Sequence, residues 1–398
     1  MRVIVMDLLA YSENLDYLKG DAAELAWPLG KQYVKPEVVA RTYEEHLECW
    51  VELERYGFDG VAVNEHHTSP YGLMSSPNLL AAAISQRTEK LKILIYGNLL
   101  PIHNPLRLAE ELALLDCLSN GRIISGFARG IPREHTVYGI PMSESRARFE
   151  EAAEVIKRAW TDEVLNFDGR FYSYHDVAIW PRPQQQPHPP IWMPITSSKE
   201  SIEFAARNNI AITPGAPPGL REDIVSYYEK QLAENGFERT PEHIILAADP
   251  HVAASRDEAV TELAPYRLYF NRTLFSHGNA TEASIQHDTG YLSSAAFDYV
   301  RPENLHLAAR AREEYRGDSI EHLHEQAPRM PWGTGEEVAM KLIRDADLAG
   351  SNTVIVNMNR GAMPKEMFME QIHRFGTEVL PLLHAHEVEL AAPVTEAK

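Results

Sequence analysis

Asn64-Glu65-His66-His67 ends a short apolar run, and its residue types suit proton chemistry. An imidazole titrates near neutral pH, so a histidine here could act as general acid, general base or hydrogen-bond donor to a reactive intermediate. Adjacent side chains on an extended chain face opposite ways, so at most one of the two histidines faces a central pocket. The same geometry disfavours chelation of one metal ion, and no His-Glu-x-x-His is present. Glu65 could orient a histidine or accept a hydrogen bond from a cofactor ring. The plainer reading is a polar strand end closed by hydrogen bonds.

Three further stretches could hold an anion. Arg129 ends an apolar run and is followed by Gly130, a position suited to a phosphate or carboxylate, or to a surface ion pair. Ser143-Glu144-Ser145-Arg146 opens a helix that Ser143 or Ser145 could cap, and Arg146 could join Arg129 on one phosphate. Thr196-Ser197-Ser198-Lys199-Glu200-Ser201 sets hydroxyls at a helix start after a strand, a phosphate cradle or a simple N-cap. Tyr96-Gly97 closes another strand, where glycine permits a close backbone approach to a ligand or a plain turn. Gly-Lys-Ser/Thr loops, Gly-x-Ser-x-Gly elbows and cysteine clusters are missing, so nucleotide hydrolysis and serine hydrolysis have no support.

The elements that must position these residues alternate. Apolar runs at Val3–Leu9, Phe58–Asn64, Leu91–Gly97, Arg122–Ala128, Ile191–Ile195, Ile210–Pro214, Ile244–Ala248 and Thr353–Met358 read as buried strands. Amphipathic helices fall between them, among them Tyr43–Tyr56, Asn78–Gln86, Pro105–Leu118 and Arg146–Trp160. About eight such units predict an α/β fold, a (β/α)₈ TIM barrel. An open doubly wound sheet is the alternative, but no Gly-x-Gly-x-x-Gly follows a strand. We read residues 1–386 as one domain, with an insertion of helical pieces and loops near 272–330 and a disordered tail at 387–398. All of the chemical stretches but Ser143–Arg146, which opens a helix, then lie at strand ends, on the face where barrels of this kind do their chemistry.

Composition narrows the function. A formal charge of −19 over 398 residues argues against a nucleic-acid partner. No run of 18 apolar residues exists, so no membrane span is expected. The opening run contains Asp7 and reads as a strand, not as a signal peptide. The two cysteines, Cys49 and Cys117, read as buried free thiols of a cytoplasmic protein.

In order along the chain, these pieces resemble the bacterial luciferase-like flavin monooxygenases. The likeness rests on Glu54-Arg55-Tyr56-Gly57-Phe58-Asp59, Asn64-Glu65-His66-His67, His103-Asn104-Pro105, Arg107-Leu108-Ala109-Glu110-Glu111 and Ser119-Asn120-Gly121-Arg122. It continues in Gly126-Phe127-Ala128-Arg129-Gly130, Trp180-Pro181-Arg182-Pro183 and Gly333-Thr334-Gly335-Glu336-Glu337-Val338. The resemblance implies a (β/α)₈ barrel that takes reduced FMN from a separate flavin reductase and oxygenates a small organic substrate with O₂ through a flavin C4a-peroxide. It implies His66 as the active-site histidine and Glu65 beside the flavin ring. Tyr96-Gly97 falls at a strained peptide under the isoalloxazine, and Arg129, Arg146, Ser198 and Ser201 fall at the phosphate. A homodimer or higher homo-oligomer is the family-level expectation.

Ala128 stands where luciferase proper has cysteine, which removes the expectation of light emission. An F420-dependent hydride-transfer oxidoreductase on the same barrel is the alternative, and a flavin-binding protein without turnover the third. Tyr11, Trp27, Tyr71 and Phe127 could line a substrate pocket or belong to the core.

Overall fold

Val, Ile and Leu fill the strands because each strand is covered on both faces, by side chains inside and helices outside. The computed structural model describes residues 1–15, 29–274, 295–310 and 319–390. In chain order the strands are β1 (Arg2–Met6), β2 (Gly60–Val63), β3 (Lys92–Leu99), β4 (Ile123–Ala128), β5 (Leu165–Asp168), β6 (Ser173–Val177), β7 (Ile191–Ile195), β8 (Ala211–Pro214), β9 (Ile245–Ala248), β10 (His251–Val252), β11 (Trp332–Gly333) and β12 (Thr353–Val356). Eight form one sheet in the order β8-β7-β4-β3-β2-β1-β12-β9. All of its pairings are parallel. A parallel bridge from Ile212 to Ile244 joins the two edges, with Ile212 N–H donating to His243 O at 2.9 Å. The predicted (β/α)₈ barrel is therefore the observed one. β5 and β6 make the antiparallel hairpin expected near residues 168–174, and β10 pairs with β11 outside the barrel.

The barrel interior is layered. Ile4, Ala62, Leu94, Ile124, Trp192, Ala211, Ile245 and Ile355 form a buried apolar cluster, one residue from each strand. Burying each large side chain among them contributes roughly 1.5–3 kcal/mol. Side chains two residues further along a strand point the same way. The next inward positions are therefore Met6, Asn64, Tyr96 and Asn357, and polarity enters the barrel at this upper layer.

The helices through the first two thirds are α1 (Pro36–Arg55), α2 (Pro77–Ser85), α3 (Pro105–Leu118), α4 (Pro132–Val137), α5 (Ser145–Thr161), α6 (Lys199–Arg207), α7 (Leu220–Glu234) and α8 (Arg256–Tyr269). Proline opens the first four, where its missing N–H costs no hydrogen bond. Several expectations need correction. α1 begins seven residues before the predicted Tyr43, because Pro36 rather than the amphipathic stripe sets its start. β3 runs past Gly97 to Leu99, with a register shift between Ile95 and Asn98. The predicted single helix Lys365–Leu383 is two helical pieces, Lys365–Arg374 and Leu380–Ala385, joined by a π turn at Phe375–Val379. Neither Ser143 nor Ser145 caps α5. Its N-cap is Glu144, and Ser145 Oγ donates to Met142 O at 2.8 Å. Cys49 is buried, and burial pushes its thiol up to about 12, but Cys117 is exposed.

Within 272–330, short helices occupy Leu305–Arg310 and Ile320–Gln326. The rest of that expected insertion at 275–294 and 311–318 lies outside the described residues, as do Trp27 and most of the expected tail. No helix among the described residues is long and apolar enough to cross a membrane.

Candidate active site

β2 and the chain after it present Asn64, Glu65, His66 and His67 at the C-terminal face of the barrel, and the two histidines part as an extended chain requires. His66 Nδ1 lies 3.0 Å from Glu134 Oε1. A carboxylate accepts, so Nδ1 donates and Nε2 is left as the nitrogen that takes or gives a proton. Tyr71 packs edge-on to the His66 ring at 4.8 Å between centroids. The His66 side chain keeps 24% of its surface exposed while Glu134 keeps 2%.

Glu134 is a functional candidate that the sequence reading missed. It sits on α4, a six-residue helix, and its other oxygen accepts the Ile131 N–H at 2.9 Å. α4 is stitched to the segment after β2 at two further points. Arg133 Nη2 donates to Thr68 O at 2.6 Å, and the Tyr138 hydroxyl lies 2.9 Å from His67 Nδ1. Gly130 holds φ +87°, and a Cβ there would come within 3.1 Å of Glu134 Oε2. A side chain at 130 would therefore disturb the carboxylate that holds His66. The available signal was Pro132 with Glu134 two residues on, the start of a helix.

Glu65 faces the other way and is wholly buried. It accepts from His103 Nε2 at 2.7 Å, His67 Nε2 at 2.9 Å and Leu99 N–H at 2.9 Å. Burial alone would raise its carboxyl, but the hydrogen bonds from His103 and His67 outweigh that and hold it at about 2. Burial opposes charge on His103, and Glu65 more than reverses it, so His103 is raised above its ordinary value. Of the two residues singled out as catalytic, then, His66 is held by Glu134. Glu65 is engaged with His67 and His103, and the latter carried no predicted role.

Arg129 and the Ser198–Ser201 stretch follow neighbouring strands, since β4 pairs with β7, and Arg146 lies on α5. Arg146 Nη2 donates to Ser198 Oγ at 2.8 Å, and Arg146 Nη1 to Ser201 Oγ at 3.4 Å. Ser198 is the N-cap of α6. Glu200 shares the cluster, accepting from Ser198 Oγ at 2.8 Å. Arg129 follows β4, and its backbone is hydrogen-bonded to His135. Burial pushes the His135 ring down to about 4, and the Arg129 charge adds to that.

Tyr96 is half-buried in the barrel, with its hydroxyl turned away from solvent, and that desolvation raises the hydroxyl to about 12. The Tyr96–Gly97 peptide is cis. A Cβ on Gly97 would meet the Gly126 backbone at 2.6 Å, so β3 and β4 touch here as only glycines allow. Of the aromatic candidates, Phe127 and Tyr11 are core and Tyr71 touches His66.

Residues 26–352 match the family described as luciferase-like monooxygenase. An uncharacterized protein of Sinorhizobium fredii is 34% identical over 194 residues, 48% of this chain and 56% of that protein. The oxygenase component of a flavin-dependent trigonelline monooxygenase from Acinetobacter baylyi is 27% identical over 235 residues, 58% of this chain and 64% of that protein. The matched stretch thus spans between half and two thirds of these relatives. Among solved structures, the monooxygenase RslO1 from Streptomyces bottropensis superimposes with a TM-score of 0.72 at 25% identity, covering 96% of this chain and 99% of that one. An F420-dependent secondary alcohol dehydrogenase shares the fold at a TM-score of 0.63 and 17% identity, covering 96% and 98%.

Proposed function

Because the chain belongs to the luciferase-like monooxygenase family, we propose that it is the oxygenase component of a two-component system that takes reduced FMN from a separate reductase and oxygenates a small organic substrate. The observation that carries this reading is the pairing of His66 with buried Glu134 at the same barrel mouth as the Arg146–Ser198–Ser201 cluster.

The residues present fit a flavin mononucleotide. A guanidinium and two hydroxyls meet at the N-terminus of α6, a donor set suited to a phosphate. Asn64, in the upper inward layer, is buried with both amide atoms lacking a hydrogen-bond partner, the state expected of a group that awaits a polar ring edge. Reduced flavin supplies two electrons to O₂, so that one oxygen atom enters the substrate and the other leaves as water. The chain's residues do the rest. Arg146, Ser198, Ser201 and Arg129 bind the phosphate, and Gly97 and Gly126 put no side chain where β3 and β4 meet. His66 Nε2 holds or moves the proton, with Nδ1 fixed by Glu134. Glu65 is a positioning residue, which fixes His67 and His103 behind the site.

Replacing Arg129 or Arg146 with alanine is expected to weaken reduced-FMN binding by about 1–3 kcal/mol, the worth of a charged hydrogen bond. An anaerobic titration checks it, and unchanged affinity in both variants would put the phosphate elsewhere.

The same barrel also occurs in an F420-dependent dehydrogenase. Mixing the protein anaerobically with reduced FMN, and separately with reduced F420, then admitting air, separates the readings. Binding of reduced FMN followed by an oxygen-dependent transient absorbance is the expected result. Binding of F420 with no response to oxygen would move the protein to hydride transfer.

A further inference from the structure

A second polar centre lies at other strand ends than the Arg146 cluster. It forms where the chain leaves β9 and β12. Asp249 follows β9, and both its oxygens face guanidinium groups. Arg267 Nη1 is 2.9 Å from Oδ2, and Arg360 Nε is 2.7 Å from Oδ1. Both arginines also stand over the Phe270 ring, at 5.9 Å and 5.1 Å. They border a small open cleft whose other walls include Asn357, Met358 and Met363.

Asn357 is the telling residue. It is 4% exposed, and neither its amide oxygen nor its amide nitrogen has a hydrogen-bond partner. A buried amide left without partners has lost its hydration and gained nothing in return. It lies two residues beyond Ile355, so its side chain continues the inward face of β12. Among the described residues lining the cleft, Asp249 is the one carboxylate and the arginines supply planar forks of N–H donors. Donors on one wall and thioethers on another suit an organic molecule with an anionic end. From the two arginines, ring contacts lead through Phe270 towards the proposed reaction centre. Phe270 packs against Tyr71 at 5.8 Å, and Tyr71 against His66 at 4.8 Å.

We propose that this cleft binds the carboxylate of the substrate, with Arg360 and Asn357 as the recognition residues, so that the molecule oxygenated is an organic carboxylate. The substrate role rests on the oxygenase reading, but the anion site is testable without flavin. Calorimetric titration of the flavin-free protein with benzoate and with its neutral counterpart benzamide provides the probe. Benzoate should bind saturably and at least about tenfold more tightly than benzamide, as a charge-assisted contact requires. Arg360→Met and Asn357→Leu should each lose about 10–100-fold in benzoate affinity while reduced FMN binds as in the parent protein. Asn357→Leu removes no charge and guards against a folding defect in Arg360→Met. No saturable benzoate binding, equal binding of both probes, or benzoate affinity unchanged in both variants would overturn the proposal. Benzoate binding in a protein that fails the reduced-FMN test would keep the anion site and remove the oxygenase reading instead.

Discussion

His66→Ala should lower turnover by roughly 10²–10⁴-fold, the usual share of a general acid–base group, while reduced FMN binds with little change. The separation follows from position. The proposed phosphate-binding set sits after β4 and on α5 and α6, whereas the His66 side chain follows β2 and meets Glu134 and Tyr71. Glu134→Gln keeps the shape but removes the charge that orients Nδ1–H, so a smaller loss is expected, roughly tenfold, or about 1.4 kcal/mol in the barrier. Free imidazole should restore part of the activity of His66→Ala, because the proposed proton carrier stands in a partly open position. Steady-state turnover with a regenerating reductase and O₂ checks all three. A His66→Ala protein that turns over normally would end the catalytic assignment. Failure of imidazole rescue alongside lost flavin binding would mean that the ring has a structural role.

How far the sequence carries such an argument depends on how local the cause is. The strands were legible because Val, Ile and Leu run continuously where both faces are buried, and the barrel order follows from their number and alternation. Arg146, Ser198 and Ser201 were placed together by the family resemblance, and the structure brings their side chains into hydrogen-bond contact at two helix starts. Glu134 was not legible as a partner of His66. It lies 68 residues away, on a helix too short to show periodicity, and only the barrel's curvature brings β2 and β4 ends together. His103 was hidden for the same reason, 38 residues from Glu65. The Asp249–Arg267–Arg360 centre was beyond reach, because it joins the end of β9, the last turn of α8 and the loop after β12. The chain nearest to it in sequence was also the segment whose pattern broke down.

Glu65 offers the second large effect, in stability rather than rate. A buried carboxylate with three close donors cannot be removed cheaply, since its partners are left without an acceptor. Glu65→Ala is therefore expected to cost about 3–5 kcal/mol in unfolding free energy. The pH dependence has a defined sign. The folded carboxyl lies at about 2 against an ordinary 4.5, so its contribution is complete above 4.5 and is lost as pH falls towards 2. That depression corresponds to about 3 kcal/mol of stabilisation. His103 is raised above 6.5, so its share is complete below 6.5 and fades as pH rises through its folded value. The two shifts report one shared interaction and must not be added. Between about pH 4.5 and 6.5 the pair contributes fully, and acid should erode it first. Urea unfolding midpoints across the acid range test this in the wild type and in Glu65→Gln, which keeps an acceptor but cannot titrate. The wild type should lose stability more steeply below pH 4.5 than the variant. Parallel acid limbs would show that the Glu65 carboxylate is not the charged acceptor that joins His67, His103 and the end of β3.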